Sequence, residues 1–304
     1  MTDPRGGPTR LACKVCGAPA RRWFDLPSAH GPPSLTFFLC RGCGLLFAGT
    51  PLDDDQLRAA YDAIDSGALY AAIAPTLRAK LERALRAVEP WLTGARPRLL
   101  DVGCGPGDLL ALVRARRPEV EAVGLELPGA RADAARGRGL TVSTGALDAL
   151  EGGFDVVVML DLAEHVPDPN RLFRDACARL RPGGLLYLHT PRRCAWDTLA
   201  LNLVRLPVVR RGARAWLRTR VSIYHLHLWT DEALRRSLAQ AGLRDVELRA
   251  TQELGWPLEL YLERHLRPLP RAARRLLGAA ARLLVASGTL RNKAVVRARP
   301  CRGS

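Results

Sequence analysis

One stretch constrains the fold of this chain more than any other: Leu99-Leu100-Asp101-Val102-Gly103-Cys104-Gly105-Pro106-Gly107-Asp108-Leu109-Leu110. A short apolar run reads as a buried strand, a turn follows with glycine at every second position, and apolar residues then resume as a helix start. Gly103, Gly105 and Gly107 remove three Cβ atoms from the turn, so a ligand can lie against bare backbone. The spacing departs from the dinucleotide fingerprint G-x-G-x-x-G. The third glycine comes one position early, and Asp108 stands where the last would be. An acidic residue, Asp101, lies just before the turn.

Further segments follow in order. A strand over Val120 to Leu125 ends in Glu126, 25 residues past Asp101, where a carboxylate can accept hydrogen bonds from both hydroxyls of a ribose. Phe154-Asp155-Val156-Val157-Val158-Met159-Leu160 is the continuous apolar run expected of a parallel strand covered on both faces. It leads into Ala163-Glu164-His165-Val166-Pro167-Asp168-Pro169. The helix-to-strand turn Leu180-Arg181-Pro182-Gly183-Gly184-Leu185-Leu186-Tyr187-Leu188 comes next, then His225-Leu226-His227-Leu228-Trp229-Thr230 ahead of a helix. Any one of these alone reads as an ordinary α/β crossover. Together and in this order they resemble the class I S-adenosylmethionine-dependent methyltransferases. The last resembles a signature of the branch that methylates sugars and other small molecules, and N-terminal zinc modules occur beside this domain in sugar C-methyltransferases.

The resemblance implies a Rossmann-like, doubly wound α/β sheet of seven strands with the last strand antiparallel. It implies S-adenosylmethionine as cofactor, with Asp101, Gly103, Gly105 and Gly107 at its methionyl part and Glu126 at its ribose. Many relatives carry an acidic residue directly after the glycine that ends strand three. Here Gly145 is followed by Ala146 and Leu147, and the acid, the candidate for the adenine end, is Asp148. Methyl transfer from a sulfonium is an in-line displacement governed by alignment, and a hydroxyl, amine or enolisable carbon acceptor also needs a proton removed. His225 is the first candidate base and His165 the second. His189 and His227 are further candidates, a structural role being the alternative for each, and Tyr61 and Tyr70 could line the pocket from the other side.

Alternating strands and helices call for the doubly wound sheet independently. Strands are expected at Arg98–Val102, Val120–Glu126, Leu140–Ser143, Phe154–Leu160, Leu185–His189, Asp245–Ala250 and Ala294–Arg299. Helices are expected from about Asp108 to Arg116 and from Asp231 to Ala241, the latter capped by Thr230. Helical spacing over Asp53 to Tyr70 and Thr76 to Val88 makes a linker. The expected organisation is a zinc-ribbon module at 1–50, the linker at 51–96, the cofactor-binding core at 97–251 with an insertion at 192–222, and a basic helical insertion with the final strand at 252–304.

Cys13-Lys14-Val15-Cys16-Gly17 and Cys40-Arg41-Gly42-Cys43-Gly44 form two C-x-x-C-G knuckles separated by 23 residues. Four thiolates gathered this way suit a structural Zn2+ with no open coordination position. Two disulfides are the main alternative. The polar start of the chain, Met1 to Arg10, argues against a signal peptide and so against an oxidising compartment; a cytoplasmic protein is expected. The scattered Cys104, Cys177, Cys194 and Cys301 carry no assigned chemistry.

The net charge of +16 does not by itself indicate nucleic acid, because 43 of 46 basic residues are arginine. That bias, beside abundant Ala, Leu, Gly and Pro, reflects coding composition. Residues 1–200 carry a net charge of +2 and residues 201–304 a net charge of +14. The insertion 192–222 leaves the carboxyl end of a strand and is therefore placed to cover a substrate. Its arginines, with those of 251–292, read as a solvated face, a clamp for a phosphorylated substrate or a surface for peripheral contact with an anionic membrane. The expected partner is a small-molecule acceptor. An RNA methyltransferase and a non-catalytic scaffold are the rivals, and the few clustered basic residues of the ribbon argue against nucleic acid.

Overall fold

The computed structural model describes residues 8–26, 35–49, 67–204, 206–221, 225–254, 258–259, 262–263 and 270–301. The chain begins with four short strands, β1 (Arg10–Ala12), β2 (Pro19–Leu26), β3 (Leu35–Cys40) and β4 (Leu46–Ala48). Helix α1 (Gly67–Val88) then leads to the core strands β5 (Arg98–Val102), β6 (Glu121–Leu125), β7 (Thr141–Ser143), β8 (Phe154–Leu160) and β9 (Leu180–Pro191). Between them lie α2 (Asp108–Arg116), α3 (Ala130–Gly137) and α4 (Pro169–Arg179). After β9 come α5 (Ala195–Leu203), α6 (Arg210–Arg220), β10 (His227–Leu228), α7 (Asp231–Gln240), β11 (Leu243–Thr251), α8 (Arg271–Ala286) and β12 (Lys293–Pro300).

The larger sheet has seven strands in the order β11-β12-β9-β8-β5-β6-β7, with β12 antiparallel to both neighbours. Chain order reverses between β5 and β8, so the ligand crevice of such a sheet lies beyond the carboxyl ends of those two strands. The apolar run of β8 explains its central place: Val156, Val157, Val158 and Met159 are fully buried, between one apolar cluster on each face. On one face α1 packs through Leu81, Ala84, Leu85 and Val88. On the other, α4 and α7 pack through Phe173, Ala176, Ala233, Leu234 and Leu238.

Two boundaries differ from the sequence expectation. Helix α1 runs unbroken across Pro75, where separate helices were expected; most of the earlier expected helix, including Tyr61, lies outside the described residues. Among the described residues of 192–222, which was expected to cover the crevice, the apolar side chains turn away from it, and the Arg220 carbonyl reaches His225. Ala200, Leu201, Val204, Ala213, Leu217 and Val221 of α5 and α6 pack instead on Phe24, Leu35, Phe37 and Leu46 of the small sheet. Their apolar stripe is a module interface. An apolar stripe flanked by arginines has the same sequence pattern whether it meets a ligand or another sheet.

That small sheet has five strands, β1-β2-β3-β4-β10, and its last member comes from the far side of the chain. His227 and Leu228 pair antiparallel with Phe47 and Leu46, so a strand that follows the core strands in the chain completes the sheet of the cysteine-bearing ribbon. Side-chain locks add to this joint. Thr230 caps α7 through Ala233 N and also donates its hydroxyl to the Cys43 carbonyl at 2.6 Å. Gln240 donates to the Val15 carbonyl at 2.9 Å.

Candidate active site

The glycine turn follows β5 directly. Gly103, Gly105 and Gly107 all have positive φ, at +74°, +54° and +82°, a region that costs other residues about 1–2 kcal/mol. They differ in surroundings. A Cβ on Gly107 would sit 2.5 Å from Leu140 Cδ1, and one on Gly103 would sit 3.0 Å from Leu162 Cδ1. A Cβ on Gly105 would meet nothing within 4 Å. Gly107 and Gly103 thus serve packing, while the space beside Gly105 is open for a ligand. Glu126 closes the cradle: its Oε2 accepts from the Gly105 amide at 2.7 Å and its Oε1 from the Leu127 amide at 3.1 Å. Asp101 is 3% exposed. Burial, reinforced by Glu126 and Asp108 and opposed by Lys80, pushes its carboxyl up to about 7. Asp148 stands apart on a short 3-10 turn, half exposed and paired with Arg171 at 3.2 Å.

The segment after β8 gathers the titratable groups. Asp161 takes a left-handed conformation, φ +52°, in which backbone strain of functional sites concentrates. Its carboxylate accepts from Lys80 Nζ at 2.6 Å and Lys293 Nζ at 2.5 Å, and lies 3.0 Å from His189 Nδ1. His189 Nε2 lies 3.5 Å from Glu253. Burial raises the Asp161 carboxyl, but Lys293, His189 and Lys80 outweigh it and hold it well below the usual carboxylate range. Burial lowers His189, and Asp161 and Glu253 reverse that to a net rise.

Three residues on, Glu164 is fully buried. Its Oε2 accepts from Thr190 Oγ1 at 2.9 Å, and its Oε1 faces His165 Nε2 at 3.8 Å. Its carboxyl is raised by burial and by Asp161, against Lys293 and His225. The His165 and His225 rings meet edge to face at 4.9 Å. His225 Nδ1 lies 3.0 Å from the Arg220 carbonyl oxygen. A carbonyl only accepts, so Nδ1 carries the proton and Nε2 keeps its lone pair. Burial first, then His165, lowers His225 to about 4. The ring is therefore neutral near pH 7, able to accept a proton or, with Glu164 and His165, to ligate a cation: the ligand atoms of the three lie within 4.8 Å of one another.

The structure thus brings Asp101, Gly103, Gly105, Gly107 and Glu126 into one cradle, and His165 and His225 into contact. His227 goes elsewhere. It is fully buried and stacked on Trp229 at 5.5 Å, and neither ring nitrogen has a protein hydrogen-bond partner. Burial, with Lys14 nearby, lowers it to about 3. Tyr70 lies on α1, within the part whose side chains are not described. Asp161, Lys80, Lys293, Thr190 and Glu253 were missed by sequence reasoning. The available signal was the scarcity of lysine.

A cavity of about 770 Å3 opens on the α1 side of the sheet, walled by Lys80, Arg83, Tyr187, His189, Arg249 and Glu253. Residues 252–254 and Leu258 also line it, and no described residue of 192–222 does.

Across the joint, the Sγ atoms of Cys13, Cys16, Cys40 and Cys43 lie within 4.8 Å of one another. Cys13 and Cys43 are 3.6 Å apart and Cys16 and Cys40 3.4 Å. A zinc tetrahedron with Zn–S bonds of about 2.3 Å has edges of about 3.8 Å, so the cluster has the dimensions of the site. Gly17 and Gly44 turn each knuckle at φ +70° and +71°. The Val15 amide faces Cys13 Sγ at 3.4 Å, and the Gly42 and Cys43 amides face Cys40 Sγ at 3.3 and 3.4 Å.

Comparison with known proteins gives concordant results. The family model described as a methyltransferase domain matches residues 71–248. The ubiquinone biosynthesis O-methyltransferase of Parvibaculum lavamentivorans is 31% identical over 174 residues, 54% of this chain and 64% of that protein. The protein of the same name from Xanthomonas oryzae is 40% identical over 113 residues, 34% of this chain and 45% of its own. The chain therefore spans about half to two thirds of the length of these curated relatives. Among solved structures, phosphoethanolamine N-methyltransferase 2 of Haemonchus contortus in complex with S-adenosyl-L-methionine superposes with a TM-score of 0.55 at 14% identity, covering 91% of this chain and 71% of that one. A chain from the Haloferax volcanii complex of the Trm112 methyltransferase activator with a methyltransferase gives 0.51 at 15% identity, covering 83% of this chain and all of that one. At these identities the likeness is one of fold.

Proposed function

The chain belongs to the methyltransferase-domain family, whose model spans more than half of it, and on that premise we propose that it transfers a methyl group from S-adenosylmethionine to a small-molecule acceptor. The observation that carries the proposal is the cradle at Gly105, where open space meets a carboxylate already aimed at the turn amide. When bound, the cofactor supplies an electrophilic methyl carbon on a sulfonium. Gly105 would leave room for the methionyl part, Glu126 would be placed to accept from the ribose hydroxyls, and Asp148 would have to release Arg171 to reach the adenine. Relatives named as O-methyltransferases favour a hydroxyl acceptor. His225 Nε2 is our candidate to take its proton, with His165 beside it and buried Glu164 behind. A nucleotide-linked sugar remains within this acceptor class.

The four cysteines are proposed to hold a structural Zn2+, which supplies tetrahedral cross-linking of the two knuckles and no chemistry at the acceptor. No helix among the described residues is long and apolar enough to cross a membrane. Peripheral contact with anionic lipid is proposed for α8, where Arg271, Arg274 and Arg275 adjoin Leu276 and Leu283, each 73% exposed. Cosedimentation with phosphatidylglycerol vesicles but not with phosphatidylcholine vesicles is the expected result; equal recovery with both removes that contact.

Calorimetric titration with S-adenosylmethionine, beside a Gly105→Arg control, tests the main proposal. Saturable binding that the control abolishes is expected. Folded protein that binds none would return the chain to the class of scaffolds that keep the fold without the reaction.

A further inference from the structure

We propose that the cavity between α1 and the end of β11 receives an anionic group of the acceptor, a phosphate ester or a carboxylate, through Lys80, Arg83 and Arg249, with His189 as an additional donor. The proposal rests on the methyl-transfer reading for the word acceptor, and on the cavity itself for the anion. The cavity, about 770 Å3, lies within the usual range for small-ligand sites, about 300–1,000 Å3. It adjoins the cofactor cradle: Lys80 on its wall pairs with Asp161, the next residue is Leu162, and Leu162 packs on Gly103.

Charge defines what the cavity can take. Lys80, Arg83 and Arg249 line it and Lys293 stands behind Asp161. Asp161 and Glu253 pair with Lys80, Lys293 and Arg83, and buried Glu164 and Asp101 lie within electrostatic reach of Lys80, while Arg249 faces the cavity without a carboxylate among the described residues. Pairing does not exhaust their donors. Lys80 gives one N–H to Asp161 and has three in all, and Arg83 gives NH2 to Glu253 and has five donors in all. Arg249, on an exposed position of β11, has no carboxylate partner among the described residues. One buried polar atom of the wall, Thr251 Oγ1, lacks a hydrogen-bond partner among the described residues, and His189 Nε2, on a side chain only 3% exposed, meets only Glu253 at 3.5 Å. An unpartnered buried donor is costly unless a ligand meets it.

The second line is independent and comes from composition. Of 46 basic residues only Lys14, Lys80 and Lys293 are lysine. All three converge on the short segment after β8: Lys80 and Lys293 on Asp161, and Lys14 on the Pro167 carbonyl at 3.1 Å. A chain that uses arginine almost everywhere keeps a compact, freely rotating ammonium at this one place.

The experiment is titration of the zinc-loaded protein with phenyl phosphate, benzoate and neutral benzyl alcohol, each in parallel with S-adenosylmethionine. Saturable binding of an anionic probe, weakened about tenfold or more by Arg249→Ala and by Lys80→Met, is expected, because a charge-assisted hydrogen bond contributes about 1.5–3 kcal/mol. Whichever anion binds tighter identifies the group. Arg249 is exposed, so its variant reads the site even where Lys80→Met fails to fold. Benzyl alcohol binding as well as the anions, or anion affinity unchanged in Arg249→Ala, overturns the proposal. Loss of cofactor binding with anion binding intact would instead overturn the methyl-transfer reading and leave the anion site standing.

Discussion

The Leu226 amide donates to the Glu164 carbonyl oxygen across 2.7 Å, and the next amide, of His227, reaches the same oxygen at 3.1 Å. Leu226 in turn accepts from the Ala48 amide at 2.8 Å. Three consecutive backbone contacts therefore link the cysteine ribbon to the loop that carries Glu164 and His165. Lys14, between the first two cysteines, reinforces the link through the Pro167 carbonyl.

Metal removal should be felt along that link. The protein is expected to bind about one zinc per chain, since four thiolates fill a tetrahedral site. Chelation, or Cys40→Ser, is expected to speed hydrogen exchange at Leu226 and His227 while the amides of α2, across the sheet, keep their protection. Unchanged exchange at Leu226 on a demetallated sample would mean that the ribbon holds its shape through the Phe37, Leu46 and Leu217 cluster alone.

Two imidazoles, one fully and one partly buried, set a pH dependence of stability. Burial lowers His225 to about 4 and His227 to about 3, whereas an unfolded histidine titrates near about 6.5. Between those values the unfolded chain binds more protons than the folded one. Stability is thus fully present above about pH 6.5 and declines as pH falls toward the folded values, by about 1–2 kcal/mol per ring near about pH 5.5. His227→Phe, which keeps the stack on Trp229 and removes both unpartnered nitrogens, should flatten this dependence. Urea midpoints of both proteins at two pH values would check it; parallel slopes would remove His227 as a cause.

The legible parts of the sequence were local. An apolar run located β8, three glycines located the turn, and two cysteine pairs located the knuckles, because in each case the residues that make the feature are adjacent in the chain. The Asp161 cluster draws on α1, β8, β9, the segment after β11 and the start of β12. Nothing local to Lys80 marks it as sharing Asp161 with Lys293, except that both are lysines. The pairing of β10 with β4 was hidden in the same way: His-Leu-His-Leu alternates as a strand should, but its partner lies about 180 residues earlier. Asp148 was placed by counting from Gly145, and its pairing with Arg171 needed the tertiary structure.

The joint between ribbon and core has its own buried ion pair. Asp197 is fully buried, and its carboxylate accepts from Arg220 Nε at 3.0 Å, Trp216 Nε1 at 2.8 Å and the Cys194 amide at 2.9 Å. Removing the carboxylate leaves a mostly buried guanidinium unpaired. Asp197→Ala is expected to destabilise the protein by about 3–5 kcal/mol. Asp197→Asn, which keeps an acceptor oxygen, should cost less. Denaturation of the two variants side by side would settle the order, and equal losses would locate the effect in packing and not in charge.

The glycine turn gives the sharpest contrast between binding and stability. Gly105 and Gly107 share a left-handed backbone, so alanine at either position is expected to cost about 1–2 kcal/mol from conformation alone. At Gly107 the new methyl also meets Leu140 Cδ1 at 2.5 Å and Ala135 Cβ at 3.1 Å, an overpacking that adds about 1–3 kcal/mol. At Gly105 it meets no protein atom within 4 Å and intrudes only on the space proposed for the cofactor. Gly107→Ala should therefore lose more stability than Gly105→Ala. Per folded molecule, Gly105→Ala should lose more S-adenosylmethionine affinity. Thermal denaturation and calorimetry on the same two samples make the comparison. Equal affinities would mean that the cofactor does not approach the turn at Gly105.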